Sequence, residues 1–333
     1  MKIAVLGRTS LLYKTMQLLT DNGHQIVLIG TCKAALEYDT KESDFEEYAK
    51  ANCIPFFCNA NLQEDSVAIM LEEAHADIAV SVNWINIIEE ESIKLFKYGI
   101  LNAHAGDLPR YRGNACPNWA IILGEERIAV SIHFMEPGML DSGDILLKKF
   151  FTISRETRIG EVYQWMDNEI PYMFVEAISG LATETLLPER QSKDTSTWLR
   201  VYPRIPADSM IDWAQTRDTI ERLVNASSEP FSGAYTYYRL QKLIVWRVHT
   251  EPWGSPSVAV PGQVVKRNFT SGEVAIACSD GVIWLEDVSL EGNRVRPYAV
   301  IKSMRDRMGM YAEDELYWLS HKLARLERLI SQE

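Results

Sequence analysis

In the first half of the chain, short apolar runs alternate with stretches of helical period, and glycines or polar turns close most of them. Lys2–Leu6 predicts a buried strand ended by Gly7. Ser10 is positioned to cap a helix over Leu11–Asn22, with Leu12, Met16 and Leu19 on one face. Gly23 stops that helix, and Gln25–Gly30 reads as the next strand. A strand–helix–strand opening predicts a parallel sheet. Thr31–Asn52 reads as a loop and a solvated helix. Ile54–Phe57, Asp77–Val82, Tyr98–Leu101, Ala129–Met135 and Asp144–Thr152 predict further strands, and Ser66–Ala74 and Asn118–Leu123 predict helices. Ile159–Leu181 predicts a long helix with the stripe Val162, Trp165, Met166, Ile170, Met173, Phe174 and Ile178, and Pro171 is a candidate kink.

The pattern then changes. Thr183–Ala207 is polar, contains proline and lacks periodic apolar positions, so 183–207 reads as a linker after a first domain over 1–182. Met210-Ile211-Asp212-Trp213 leads into a short helix bearing Ile220, Leu223 and Val224. The strand-like runs Ala234–Leu240, Leu243–Val248, Gly262–Val265, Glu273–Ala277 and Val282–Val288 follow, several of them separated by glycines. They predict a smaller β-rich domain, OB-like or barrel-like, over 208–305. A helical tail, 306–333, places Leu316, Leu319, Leu323, Leu326 and Ile330 at alternating three and four spacing within Ala312–Gln332, a heptad-like seam for another helix or a dimer contact. The expected class is α/β, a Rossmann-like mostly parallel sheet with helices on both faces, plus the β-rich domain and the terminal helix.

Composition narrows the picture. The 333 residues suffice for two cores, and 47% apolar content is ordinary for a soluble protein. No apolar run approaches the roughly 20 residues that span a bilayer. The opening MKIAVLGRTS is cut short by Gly7-Arg8, unlike a secretory signal. Five scattered cysteines without a C-x-x-C pair fit a reducing cytoplasm, and six isolated histidines suggest no metal cluster. The formal charge of −12 biases against nucleic-acid binding. Gly7-Arg8-Thr9-Ser10 lacks the G-x-G-x-x-G fingerprint, so no dinucleotide is expected.

The chemistry gathers in Ile100–Leu146. Asn102 and His104 lie two residues apart at a strand end, so their side chains share one side. A neutral imidazole takes a proton near pH 7, and an amide N–H stabilises an oxyanion. Asp141, from the loop Glu136–Gly143, is placed to orient the imidazole or relay its proton. Taken singly, the three also read as loop-capping and turn residues. No serine or cysteine sits in a sharp strand-to-helix nucleophile turn, which favours direct acyl transfer between two bound substrates. Cys116 invites a Cys/His nucleophile reading, set against a small buried hydrophobe. His133 reads as a core or edge residue.

The run Asn102-Ala103-His104, then Leu108-Pro109-Arg110-Tyr111-Arg112-Gly113, then Pro117-Asn118-Trp119-Ala120, then Leu140-Asp141-Ser142-Gly143-Asp144-Ile145-Leu146 resembles the formyltransferases that use N10-formyltetrahydrofolate. Two departures stand out: Gly106-Asp107 where family members often carry Ser-Leu, and one extra residue in Met135–Asp141. The resemblance covers most of residues 1–305. It implies catalytic roles for Asn102, His104 and Asp141. It implies folate contacts at Trp84, Ile85, Arg112, Gly113, Gly138, Met139 and Leu140, although Trp84 also reads as a core tryptophan. Acceptor contacts are implied at Arg110, Tyr111, Asn118 and Trp119. No metal is expected.

Two branches compete for the acceptor. One formylates methionyl-transfer RNA, the other the amine of a nucleotide-linked sugar. Members of the RNA branch carry a basic insertion after the second strand. Here Lys33, Lys41 and Lys50 face six acidic residues, Glu37, Asp39, Glu42, Asp44, Glu46 and Glu47. Asn118 and Trp119 suit a small polar sugar face, whereas the β-rich module occurs in both branches. The resemblance therefore implies a nucleotide-linked 4-amino-4,6-dideoxyhexose destined for a surface polysaccharide such as a lipopolysaccharide O-antigen. The cysteines, the charge and the short apolar runs lead to the expectation of a cytoplasmic protein with no nucleic acid or membrane partner. The tail seam leads to the expectation of a homodimer, the alternative being that the tail docks on its own domain. A protein that keeps the fold but only binds folate or sugar is the reading of a different class.

Overall fold

The structure, a computed structural model, describes residues 1–35, 38–309 and 312–330. Contacts divide it into two compact units. One comprises Met1–Pro117, Glu126–Ile153 and Glu161–Pro203; the other comprises Asn118–Glu125, Ser154–Gly160 and the chain from Arg204 onward.

The first unit is organised by β1 (Lys2–Gly7), β2 (Gln25–Thr31), β3 (Phe56–Cys58), β4 (Ile78–Val82) and β5 (Ile100–His104), parallel neighbours in the order β3-β2-β1-β4-β5. Helices α1 (Ser10–Asp21), α2 (Glu42–Ala51), α3 (Asp65–Glu73) and α4 (Glu90–Lys94) connect them. Ile3–Leu6 and Ile78–Val80 are fully buried, as near-continuous apolar strands in a parallel sheet must be. Leu12, Met16 and Leu19 of α1 are likewise fully buried. Ser10 is not the cap: the helix starts on it, and Thr9 occupies the cap position with φ 85° and no side-chain capping bond.

Beyond β5 come β6 (Tyr111–Gly113), α5 (Cys116–Leu123), β7 (Arg127–Phe134) and β8 (Ile145–Thr152). β7 returns antiparallel to β5, and β8 antiparallel to β7, extending the sheet to seven strands. Helix α6 (Ile159–Ala182) runs unbroken through Pro171 and buries Val162, Ile170, Met173, Phe174 and Ile178.

The stretch read as a linker is structured through Pro203. β9 (Leu199–Val201) pairs parallel with β6, and Glu189 and Ile145 exchange backbone bonds of 2.7 and 2.8 Å. Short polar segments that add one strand to a loop carry no periodicity, which is why the pattern missed them.

In the second unit, α7 (Arg217–Ser227) precedes β10 (Ala234–Tyr238), β11 (Gln241–Pro252), β12 (Val264–Arg267), β13 (Val274–Cys278), β14 (Gly281–Leu290), β15 (Asn293–Val295), α8 (Pro297–Val300) and α9 (Ala312–Ile330). The strands form an antiparallel sheet in the order β10-β11-β14-β13-β12, with β15 added to β14. Its core includes Ile211, Trp213, Ile220, Val224, Leu243, Ile283 and Leu285. This unit runs past the expected boundary at 305, because Asp306 bonds the Tyr238 hydroxyl at 2.9 Å and Met308 is buried. The end of the predicted tail, beyond Ile330, lies outside the described residues. No helix among those described is long and apolar enough to cross a membrane.

Candidate active site

The reversal of β7 against β5 builds the site. The register sets Asn102 opposite His133 and His104 opposite Ser131. The β7–β8 connection then brings Asp141 back over the end of β5. Asp141 Oδ1 lies 3.4 Å from His104 Nδ1 and 3.8 Å from His133 Nε2. The Asn102 Nδ2 donates to His133 Nε2 at 3.2 Å. Three side chains from distant segments thus converge, with His133 as a fourth member. The strand period alone gave no reason to single out His133; the pairing of β7 with β5 does.

Asp141 is held on three sides. Its Oδ2 accepts from the Gly113 N–H at 2.9 Å. Its carbonyl accepts from Gln191 Nε2 at 2.9 Å, and the same amide donates to the Gly143 carbonyl at 2.7 Å. Gln191 Oε1 in turn accepts from Arg112 Nη2 at 2.8 Å. Asp141 adopts φ 53°, a left-handed conformation that costs free energy for a residue with a Cβ. The clamp from Gln191 offsets that cost. Gln191 lies in the stretch read as a linker, and nothing in its sequence context marked it.

The His104 ring is fixed through its other nitrogen. Nε2 lies 2.6 Å from the Tyr111 carbonyl oxygen, which only accepts, so Nε2 carries a proton. Nδ1 therefore faces Asp141. Gly106 permits this packing. A Cβ there would meet the Tyr111 carbonyl oxygen at 2.4 Å and His104 Nε2 at 2.5 Å. The Gly106-Asp107 departure thus has a local cause, and Lys148 Nζ ties Asp107 Oδ1 down at 2.8 Å.

His133 Nδ1 donates to the Phe134 carbonyl at 2.8 Å. Burial, and then the neighbouring His104, pull the His133 pKa down to about 4. It is neutral at physiological pH, with Nε2 free to accept. Cys116 Sγ sits 3.6 Å from His104 Nε2, but burial pushes its thiol up to about 12. It stays protonated, and the thiolate needed for nucleophilic attack does not form.

The remaining residues named from sequence fall as follows. Ser81 of β4 pairs with Asn102, so Trp84 and Ile85 lie just beyond the carboxyl end of the neighbouring strand. Trp84 is half-buried against the cluster containing Leu28, Phe57 and Ile88; its Nε1 is buried without a hydrogen-bond partner among the described residues. Ile85, Met139 and Leu140 are about half exposed, and Gly138 has φ 72° with open space around it. Arg112 is buried, with its guanidinium 3.8 Å from the centre of the Trp198 ring. Gly113 holds Asp141 through its N–H. Arg110 is exposed, with its guanidinium 5.5 Å from the ring centre of the buried Tyr111. Asn118 and Trp119 lie within the second unit: Asn118 Nδ2 donates to the Ala226 carbonyl at 2.8 Å, and the Arg204 guanidinium stands 5.8 Å from the Trp119 ring centre.

Among the described residues, His249, Glu273 and Glu286 bring possible metal-ligand atoms within 4.8 Å. They already have protein partners: His249 Nδ1 lies 2.8 Å from Glu286 Oε1, and Glu273 accepts from Ser271 Oγ.

An amide, an imidazole–carboxylate pair and a second, fixing imidazole meet at the carboxyl edge of an α/β sheet, an arrangement suited to a group transferase of the acyl-transfer type. The sequence pattern of the family described as "Formyl transferase" matches residues 1–178, and that of "Formyl transferase, C-terminal domain" matches residues 205–303. The chain belongs to the formyl transferase family, and it is an enzyme of that kind. The methionyl-tRNA formyltransferase of Alkaliphilus oremlandii is 27% identical over 307 residues, covering 90% of this chain and 96% of that protein. The N-formyltransferase of Helicobacter canadensis, solved with folinic acid and dTDP-3-aminofucose, superposes with a TM-score of 0.63 at 18% identity, covering 86% of this chain and 98% of that one. HypX of Aquifex aeolicus, solved with tetrahydrofolic acid, gives a TM-score of 0.56 at 18% identity over 91% of this chain. This chain spans 47% of HypX's length.

Proposed function

We propose that this enzyme moves a formyl group from N10-formyltetrahydrofolate to the amine of a nucleotide-linked amino-dideoxyhexose in the cytoplasm. The indole N–H of Trp84, buried without a partner among the described residues just past the carboxyl end of β4, supports a flat heteroaromatic donor at that end. A similar structure solved with tetrahydrofolic acid supports the same donor.

In the proposed reaction, the sugar nitrogen attacks the formyl carbon. One Asn102 N–H is held by His133, and the second is left to bond the developing oxyanion. The His104–Asp141 pair takes the proton that the amine loses. It returns a proton to the folate nitrogen as the carbon–nitrogen bond to that nitrogen breaks. Protons and electrons balance, and no covalent enzyme intermediate is needed, consistent with the inert Cys116.

The observation that carries the choice of acceptor is the acidic segment after β2. On α2, Glu42 and Asp44 occupy the first turn, and Lys50 is paired with Glu46 at a separation of four residues. That surface repels a phosphate backbone. The reading of methionyl-transfer RNA as acceptor rests on the relatives bearing that name, matched over 90% of this chain. The test is mass spectrometry of dTDP-linked 4-amino- and 3-amino-dideoxyhexoses, and of methionyl-transfer RNA, incubated with the enzyme and formyl-folate. A gain of one formyl group on a sugar and none on the RNA is expected. Formylation of the RNA alone overturns the sugar reading. Formylation of no amine tried favours a protein that binds without catalysing.

A further inference from the structure

We propose that α9 joins this chain to a second copy of itself as a short parallel coiled coil along Leu316, Leu319, Leu323, Leu326 and Ile330. The five recur at alternating intervals of three and four residues, the spacing of heptad positions a and d. At 3.6 residues per turn they fall within an arc of about 80°. Their exposures are 67, 51, 60, 56 and 72%. Each of them is therefore more than half exposed. Five large aliphatic side chains in one exposed stripe mark an interaction surface.

Charge selects the occupant and its direction. With Leu316 and Leu323 at a, Lys322 falls at g and Glu327 at e, five residues on. That is the offset at which g of one helix meets e of the next heptad in a parallel partner. Two copies related by a twofold axis make the Lys322–Glu327 pair twice. An antiparallel pairing sets g against g and loses the match. A partner of different sequence has no such built-in complement. A 19-residue helix is ~28 Å long, so the contact lies near the low end of stable interfaces, about 1,000 Å². A dissociation constant of about 1 μM is expected.

Sedimentation velocity of the full chain at about 50 μM, well above that constant, is expected to give twice the mass of one chain. The double variant Leu319→Lys, Leu323→Lys is expected to sediment as a single chain that still unfolds cooperatively, because both side chains are exposed on the single chain. Lys322→Glu is expected to weaken the dimer about tenfold, since two attractive rim pairs become repulsive. Adding Glu327→Lys to it is expected to restore the affinity. A monomeric wild type overturns the proposal, as does a dimer that survives the seam substitutions. A charge-swapped double variant no tighter than Lys322→Glu alone overturns it too.

Discussion

Asn102 on β5 and His133 on β7 stand directly opposite each other, with Asn102 Nδ2 3.2 Å from His133 Nε2. His133 Nδ1 is committed to the Phe134 carbonyl, so Nε2 can only accept. An imidazole acceptor turns the nitrogen of the amide, rather than its oxygen, inward. The proposed oxyanion donor is thus oriented by a cross-strand neighbour, and that neighbour stays neutral because it is buried.

Asn102→Ala is expected to lower kcat by about 100- to 1,000-fold, the usual effect of losing one oxyanion donor. KM for the proposed sugar acceptor should change little, because the interaction forms mainly in the transition state. Steady-state kinetics with saturating formyl-folate check this. A variant within threefold of wild type removes Asn102 from the chemistry.

His133 supplies a pH signature. In the unfolded chain it binds a proton below its ordinary 6.5; in the folded chain, only below about 4. Between those values the unfolded state holds more protons. Its contribution to stability is therefore complete above pH 6.5 and declines as the pH falls toward 4, by about 1.4 kcal/mol per unit and roughly 3 kcal/mol in all at most. Urea midpoints at pH 7.5, 6 and 5 should fall more steeply for wild type than for His133→Gln. Parallel slopes would show that another group dominates.

Gln191→Ala removes the clamp on the strained Asp141 backbone and leaves the buried Arg112 short of a partner. A loss of about 10- to 100-fold in kcat is expected from misplacement of the proton pair. Gln191→Glu should not rescue it, since a carboxylate oxygen in place of Nε2 has no proton to donate to the Asp141 and Gly143 carbonyls. Full activity in the alanine variant would mean that Gly113 alone positions Asp141.

Cys116→Ala is expected to keep activity within a few-fold, since a thiol with a pKa near 12 supplies no nucleophile. Wild type should likewise resist brief iodoacetamide treatment at pH 7.5. Rapid inactivation traced by peptide mass to Cys116 would reverse this assignment.

Much of the architecture was legible along the chain because it is locally periodic. The buried strands from Lys2, Gln25 and Asp77, the face of Leu12, Met16 and Leu19, and the stripe on α6 all follow from apolar spacing. The chemical types at Asn102, His104 and Asp141 were legible too, because their motifs are contiguous. Gln191, β9 and the role of His133 were not. Each acts through a partner far away in sequence: 50 residues from Gln191 to Asp141, 31 from His133 to Asn102. No local pattern encodes such a pairing.

The amino-acid order by itself determined the apolar faces and which reactive groups were available, because these depend on neighbours one to four positions apart. The units it could not divide, since Asn118–Glu125 and Ser154–Gly160, inside the expected first domain, belong to the second unit. The tertiary structure alone decided that β7 runs back against β5. That reversal sets an imidazole opposite Asn102 and lowers that imidazole's proton affinity by burial. The physical reason is that hydrogen-bond direction and desolvation depend on which distant groups share a volume, and only the folded chain fixes that.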